Sequence, residues 1–464
     1  MHYAPRLNQP YTPEDMETIL GDALRVLEQL GIACGSRAVI DRMTATPGVR
    51  YDSGRLKFDP AVVREHVEKV RRRNAAEPNP EPEFQLLSAW CCLNYADPET
   101  GEVRPATTDE AARMTRLADA MGAATWSVPV VPGAVPPQLA TVTAEYVALA
   151  NSRKLGGFMP VMDSREIELL IEMNLAVGRT FHLVEQVSIS PLRFNDHGLE
   201  SALAFLGRTD CRVQLTGAIP TLGSTVPLSV RSALAETVAE SLALSLAGLR
   251  LGFGAGGFGA ELKPFDFQYA TIGFGPAEES LLWAVSRQMA AFLNGRHGWF
   301  GSFHSMARWP DGQASSERAA GVLTQAFLGA RRFRGAGQLA VDEIYSPQQA
   351  VIDLDILDHV ARIVRGLDPL AIAGDVVEEL AAGVAEGSFL GERATVKGYR
   401  QLLLRPKLFH HYNTGHWRNL GCPALLAESW QRAKELIDGN EFHLPEAASR
   451  DLDRIYRRAT KLLA

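Results

Sequence analysis

Apolar residues recur at helical spacing from Thr12 to Leu30, and Gly31 ends the run. Thr12 is a good N-cap, Pro13 suits the first helical position, and Glu14 complements the helix dipole. A second helix starts at Pro60 and ends in Arg71-Arg72-Arg73, a charge run that reads as a solvated helix end. These signals predict a helical segment over the first 75 residues. The stretch Asn74 to Glu83 is polar and rich in proline and glutamate, which places a boundary there.

Beyond it the pattern changes to short apolar runs alternating with amphipathic helices, the mark of a parallel sheet whose strands are buried on both faces. Eight strands are predicted, at Ala89–Tyr95, Thr125–Val131, Leu155–Val161, Val184–Ser188, Arg212–Gly217, Leu249–Phe253, Trp299–Phe303 and Phe333–Leu339. The helices that follow them are predicted over Thr108–Met121, Ala140–Asn151, Ser164–Val177, His197–Leu206, Leu228–Ala247, Pro276–Asn294, Gly312–Gly329 and Asp353–Arg365. Eight βα units without a reversal predict a closed (β/α)8 TIM barrel, with an open doubly wound sheet as the alternative. The expected organisation is an N-terminal helical segment and linker (1–83), a catalytic barrel (84–366) and C-terminal helices packed on it (367–464).

Composition narrows the functional classes. The chain has 464 residues, 46% of them hydrophobic and 22% charged, which is globular rather than disordered. A net charge of -7 disfavours a phosphate backbone as partner. Five scattered cysteines without a CxxC argue against a disulfide framework or zinc ribbon and fit a reducing cytoplasm. No basic region followed by an apolar run opens the chain, so no secretory leader is expected. The most apolar stretch, Leu228 to Leu251, carries Arg231, Glu236 and Glu240, as a buried helix would rather than a membrane span.

Barrel chemistry sits at the C-terminal strand ends. The predicted ends supply Tyr95, Met159 and Met162, Arg193, Gln214, Phe253, His304 and Glu343, but no metal-ligating set and no lysine placed for a Schiff base. Gly252 to Gly257 spells GxGxxG, yet no helix starts there to receive a pyrophosphate. Gly254 and Gly256 read instead as a mobile loop allowing close approach of backbone to a ligand or cofactor. Aromatic residues are frequent near the predicted mouth, and two or three facing the cavity would cage a quaternary ammonium.

Four segments, in order, resemble the trimethylamine methyltransferase family. They are Cys92 to Thr107 (C-L-N-Y-A-D-P-E-T-G-E-V-R-P-A-T), Ser190 to Phe194 (S-P-L-R-F), Pro310 to Ala314 followed by Glu317, and Ser346 to Asp353 (S-P-Q-Q-A-V-I-D). The resemblance extends from about Thr12 to Ile437. It implies a barrel that moves a methyl group from a methylated amine to the cobalt of a corrinoid. No D-x-H-x-x-G corrinoid motif is present, so the corrinoid is expected on a separate small partner protein. The absence of pyrrolysine implies the branch acting on glycine-betaine-like compounds. Two positions depart from the family pattern: Met306 stands where an acid is usual in S-D-A-K, and Arg393 where a histidine is usual.

Together these readings predict that Tyr95, Gln214, His304 and Glu343 line one cavity at the mouth. Arg193 would take a substrate carboxylate as a bidentate guanidinium, and Phe253 and Phe303 would face the methyl groups. Possible self-association is also expected. Two rival functions remain open: a barrel lyase or corrinoid-independent transferase on the same scaffold, and a non-catalytic protein that binds a methylated amine.

Overall fold

Local signals decide most of the helices. In the computed structural model, which describes residues 10–123, 127–159, 164–367 and 375–463, the chain opens with α1 (Pro13–Gln29), β1 (Ile32–Ala33), α2 (Arg37–Thr44), β2 (Val49–Asp52), β3 (Arg55–Phe58) and α3 (Pro60–Ala76). It continues through β4 (Gln85–Ser88), β5 (Asn94–Ala96), β6 (Val103–Arg104), α4 (Thr108–Ala120), α5 (Ala140–Asn151), β7 (Phe158–Met159) and α6 (Ser164–Ala176). Then come β8 (Phe181–Ile189), β9 (Arg193–Phe194), α7 (Asp196–Ala204), β10 (Cys211–Gly217), β11 (Thr221–Leu222) and α8 (Val230–Leu251). The next elements are β12 (Lys263–Asp266), β13 (Thr271–Ile272), α9 (Ala277–Asn294), β14 (Phe300–Ser302), α10 (Gly312–Phe327), β15 (Arg332–Ala336), β16 (Gln338–Leu339), β17 (Ile344–Tyr345) and α11 (Pro347–Arg365). The chain ends in α12 (Val376–Glu386), α13 (Arg393–Leu402), α14 (Thr414–Asn419), α15 (Leu425–Asp438) and α16 (Glu446–Leu463).

Thr12 and Asp15 form a reciprocal capping box on α1, as Thr107 and Glu110 do on α4. The expectation of a wholly helical N-terminal segment fails at Val49 to Phe58, where β2 and β3 pair as an antiparallel hairpin. Its turn residues Ser53 and Gly54 are both left-handed (φ 51° and 82°), the hand that matches strand twist. β1 joins β3 to β9, so this segment extends the sheet that contains β8.

Two runs of parallel neighbours organise the middle of the chain. β7, β8 and β10 pair in parallel, as do β14, β15 and β4. A parallel bridge between Cys92 and Val130 carries the chain after β4 onto its next neighbour. Parts of the predicted second and third strands, Thr125 to Trp126 and Pro160 to Val161, and the expected site residue Met162, lie outside the described residues.

The predicted sixth strand is not there. Leu249–Leu251 is the last turn of α8, and left-handed Gly252 (φ 102°) caps it, with the Phe253 N–H donating to Gly248 O at 2.8 Å. An apolar run next to glycine suits a helix end as well as a strand. The strand-like alternation comes later: Phe258, Ala260 and Leu262 are buried, while Gly259 is exposed and Glu261 half-buried. This segment bonds to no neighbouring strand until Lys263 pairs with Thr221.

Among the described residues two large apolar clusters and a small third one, around Ala307 and Leu339, form the core. One joins the parallel strands to α4–α6, α10, α11, α15 and α16, and the other joins α1–α3 to α8 and α9. α8 is long and apolar enough to cross a membrane, yet it is mostly buried inside the molecule.

Glu145 on α5 lies in the first cluster's interior, fully buried, where its Oε1 accepts from Gly157 N and Asn174 Nδ2, both at 2.7 Å. Burial pushes its carboxyl up to about 7, against the pull of those two bonds and of Arg179. A folded value above the unfolded 4.5 means the folded state holds the proton more tightly. Its contribution is therefore complete below pH 4.5 and lost as pH rises through about 7. Urea unfolding of Glu145→Gln should lack this share of the pH slope. Glu236 is also raised to about 7, so the measurement is wild type minus variant. Equal slopes in the two proteins would refute the assignment.

Candidate functional site

Strand register separates an inner face from the helix-facing one, because paired residues share a side. Val184 pairs with Gln214 and Gln186 with Thr216. Their neighbours Phe181, Leu183 and Val187 are buried, and Glu185 reaches Ser201 on α7 at 2.6 Å, so the odd-numbered side of β8 faces helices. His182, Gln186, Arg212 and Gln214 therefore look the other way. On β14 and β15 the buried Phe333 marks the helix side, which leaves Phe300, Ser302, Arg332 and Arg334 on the inner face. The guanidinium groups of Arg332 and Arg334 lie 5.9 and 6.0 Å from the Phe300 ring centroid.

The densest chemistry lies where Glu261 and Lys263 meet α9 and the exit of β14. Lys263 is almost fully buried; its Nζ pairs with Glu279 and lies 3.0 Å from Glu261 Oε1. Glu279 also accepts from, or shares a proton with, His304 Nδ1 at 2.5 Å. The Phe274 ring stacks on His304, with centroids 4.3 Å apart and planes 11° apart, and lies 5.2 Å from the Lys263 ammonium. Gly275 permits this approach: it is left-handed (φ 109°), and a Cβ there would sit 2.8 Å from Ser305 Cα.

The charges are fixed by their neighbours. Lys263 above all holds the Glu261 carboxyl down at about 2. Burial opposes ionisation of Glu279, but His304 and Lys263 together bring it to about 2. Burial likewise opposes the charge on Lys263, and the two glutamates outweigh it, raising its value. Burial holds His304 below its ordinary 6.5, against the attraction of Glu279. At neutral pH these four groups carry two carboxylates, one ammonium and a neutral imidazole, one net negative charge among them, while the Arg334 guanidinium acts on Glu261 from the neighbouring cavity.

Cavities flank the segment that carries Glu261. One of about 270 Å³ runs between it, Thr216–Pro220 and α8. Another of about 150 Å³ lies towards α9, Phe300 and Arg334. Glu261 lines both.

The expected site residues divide. Gln214 is on the inner face, and His304 belongs to the ionic cluster. Glu343 is exposed beside Asp342, which senses the charge of His304. Tyr95 is buried under Arg104, whose guanidinium lies 5.6 Å from its ring. Phe303 is fully buried against Phe333, with Arg318 beside it, and cannot face a cavity. Phe253 follows the cap of α8. Gly254 and Gly256 lie in the turn before the Glu261 segment, at the end away from the cluster, where Ser245 and Arg73 bond its carbonyls. Arg193 is exposed on β9, paired with Ile189 and Ala33, and Asp196 bonds Gly35 instead. Glu261, Lys263, Glu279 and Phe274 were missed. The alternation of Phe258, Ala260 and Leu262 with charged partners was the signal that could have found them.

The motif segments prove to be fasteners around this region. Arg104 bonds Asp97 within its own motif and Glu110 in the first turn of α4. Glu240 accepts from Ser190 Oγ at 2.6 Å and Leu192 N at 2.7 Å, holding the turn after β8. Asp311 caps α10, and Glu317 accepts from Ser305 Oγ (2.7 Å) and Met306 N (2.8 Å), fixing the chain beside His304. Ser346 caps α11, and Asp353 on it pairs with Arg318. Of the departing residues, Met306 Sδ accepts the Phe274 N–H at 3.2 Å, and Arg393 is exposed at the start of α13. Among the described residues no group of three His, Cys, Asp or Glu could hold a metal ion.

Comparison with known proteins agrees with these motifs. A trimethylamine methyltransferase of Methanosarcina barkeri is 26% identical over 208 residues, 44% of this chain and 41% of that protein. One from Methanosarcina thermophila is 27% identical over 187 residues, 40% of this chain and 38% of that protein. These matches thus span about two-fifths of the relatives' length. One from Desulfitobacterium hafniense is 22% identical over 455 residues, covering 92% of this chain and 89% of that protein. The family model for trimethylamine methyltransferase matches residues 3–462. With motifs, fasteners and a match over nearly its whole length in accord, the chain belongs to the trimethylamine methyltransferase family.

Proposed function

We propose that this protein moves a methyl group from a small methylated amine, by preference a quaternary one, to the cobalt of a corrinoid carried by a separate small protein. In this reading the two runs of parallel strands and the Glu261 segment close into one eight-stranded barrel over residues 84–366. Residues 1–83 and 367–464 flank it. The observation that carries the proposal is the buried cluster with one net negative charge, next to the stacked rings of Phe274 and His304. A quaternary methylammonium has one positive charge, a methyl surface that suits an aromatic face, and no proton to exchange.

A corrinoid bound on its partner would supply a reduced cobalt nucleophile as methyl acceptor; both C–N electrons would stay on nitrogen, so that a quaternary ammonium would leave as a neutral amine. The chain's own residues then need to bind, orient and exclude water, with no general acid for the amine. Glu261 attracts the cation. Glu279 holds Lys263 and His304 in place, and Glu317 fixes the backbone beside them. The rim fits an apolar visitor: Leu93, Ile219, Phe267 and Tyr269, all beyond strand ends, are exposed. A substrate carboxylate would meet Arg334, which lines a Glu261 cavity, rather than Arg193.

The test is turnover of glycine betaine, carnitine, proline betaine and trimethylamine with a reduced corrinoid protein, followed by loss of the Co(I) absorbance. Demethylation of at least one is expected. Binding without turnover would favour a binding protein, and neither would overturn the substrate class. The pH profile gives a second check. Protonating His304 takes the cluster from one net negative charge to none, so kcat/KM should hold steady near neutrality and fall in acid below pH 6.5. Asp342, Glu261, Glu279, Glu317 and Lys263 are the other charged residues described around His304. The acid limb should disappear in His304→Gln, and its persistence there would assign it to another group.

A further inference from the structure

Between Gly366 and Leu402 the described residues form α12 and α13, an arm whose two ends meet at α11. Arg362 on α11 closes the base of this arm, donating to Gly366 O at 2.6 Å and to Leu402 O at 2.8 and 3.1 Å. Asp355 then accepts from Leu408 N (2.6 Å) and Phe409 N (2.9 Å), fixing the returning strand of chain. The arm's first helix, α12, is not buried against its own molecule. Val377, Leu380 and Val384 are 73%, 53% and 74% exposed. Steps of three and four put them on one helical face, an apolar stripe in water.

An unfilled complement lies beside the arm's base. Between α10 and α11 an apolar groove of about 350 Å³ is walled by Ala320, Leu323, Ile356, Val360 and Phe409. It runs into a second hollow of about 340 Å³ lined by His359, Arg362 and Arg405. The stripe's own helix and cap are acidic, with Asp375, Glu378 and Glu386 and no basic residue between them. Apolar stripe matches apolar groove, and acidic flank matches basic rim.

We propose that α12 of one copy lies in the α10/α11 groove of a second copy, and the reverse, as a twofold exchange of arms. Such a contact is isologous, satisfies both surfaces at once and closes. The position of the arm favours a second copy over the corrinoid protein. Arg365, at its base, faces Glu83 at 3.8 Å, just ahead of the first residue of β4. That is the N-terminal end of β4 and of its parallel neighbours, whereas His304 lies past the C-terminal end of β14, the side a cofactor must reach.

Sedimentation velocity on the full-length chain tests this. Wild type should be a dimer at micromolar concentration. Val377→Asp with Leu380→Asp should weaken the dimer by about 100-fold or more, with an unchanged circular dichroism spectrum because both positions are exposed. A charge swap keeps the test specific: Glu378→Arg should weaken association, and adding Arg405→Glu should restore it. A wild type that stays monomeric at ~100 µM would overturn the proposal, including one that captures the corrinoid protein through α12. A dimer indifferent to the α12 substitutions would overturn it equally.

Discussion

Replacing Asp353 by alanine should destabilise the fold by about 3–5 kcal/mol, the usual cost of removing one partner from a buried ion pair. Asp353 and Arg318 are both wholly buried, with Nη1 and Oδ2 2.7 Å apart. Burial raises the Asp353 carboxyl above its ordinary value and lowers Arg318, so each is held charged by the other and by hydrogen bonds. Asp353 also accepts from Gly337 N at 2.8 Å and Gln349 Nε2 at 2.9 Å. Arg318 has less to fall back on. Its remaining hydrogen bond is to Gly335 O at 3.4 Å, and among the described residues its Nε and Nη2 have no hydrogen-bond partner. Alanine would leave a guanidinium uncompensated against Phe303. Chemical denaturation measures the loss. The pair Asp353→Leu with Arg318→Met should recover much of it, since apolar replacement of a whole buried pair is often neutral. A single variant within about 1 kcal/mol of wild type would mean the charge is not confined as described.

That ion pair shows why motif letters were legible while their roles were not. Ser346 to Asp353 stood out in the sequence as a family segment. Its residues cap α11, pin the chain at Gly337 and neutralise Arg318, and none reaches the inner face. Glu240, which holds the Ser190–Phe194 turn, and Glu317 act the same way. Helices were readable because their start signals are local: Thr12, Thr107 and Pro60 each cap or open a helix as written. Strand six was not, because Leu249–Phe253 is apolar in either conformation and the decision came from Gly252 as a cap. That error hid Glu261 and Lys263, since strand ends were where chemistry was sought. The surroundings of Arg193 were not legible for a related reason. Its turn follows a strand correctly read, but β9 doubles back to pair with β1, a partner some 160 residues earlier that periodicity cannot reveal.

Under the proposed function, replacing Glu261 by glutamine should raise KM for a quaternary ammonium substrate by roughly 30- to 150-fold, about 2–3 kcal/mol, and leave kcat no lower. The shape of Glu261 is kept, and only its charge goes. The magnitude sits well under the bare Coulomb value because its side chain is 39% exposed and water screens the charge. The split between KM and kcat follows from where charge moves. The substrate nitrogen is positive when bound and neutral when the amine leaves, so a carboxylate near it favours the ground state over the transition state. Losing that carboxylate removes binding without removing transition-state stabilisation, and kcat can even rise. A positioning role predicts the opposite, a fall in kcat at similar KM. A neutral analogue with carbon in place of nitrogen supplies the control. It should inhibit wild type weakly and Glu261→Gln to the same degree, because it brings no charge for Glu261 to meet. If the variant instead loses kcat, or discriminates equally well between cation and neutral analogue, the ammonium partner is a different residue and Glu261 serves only to hold Lys263.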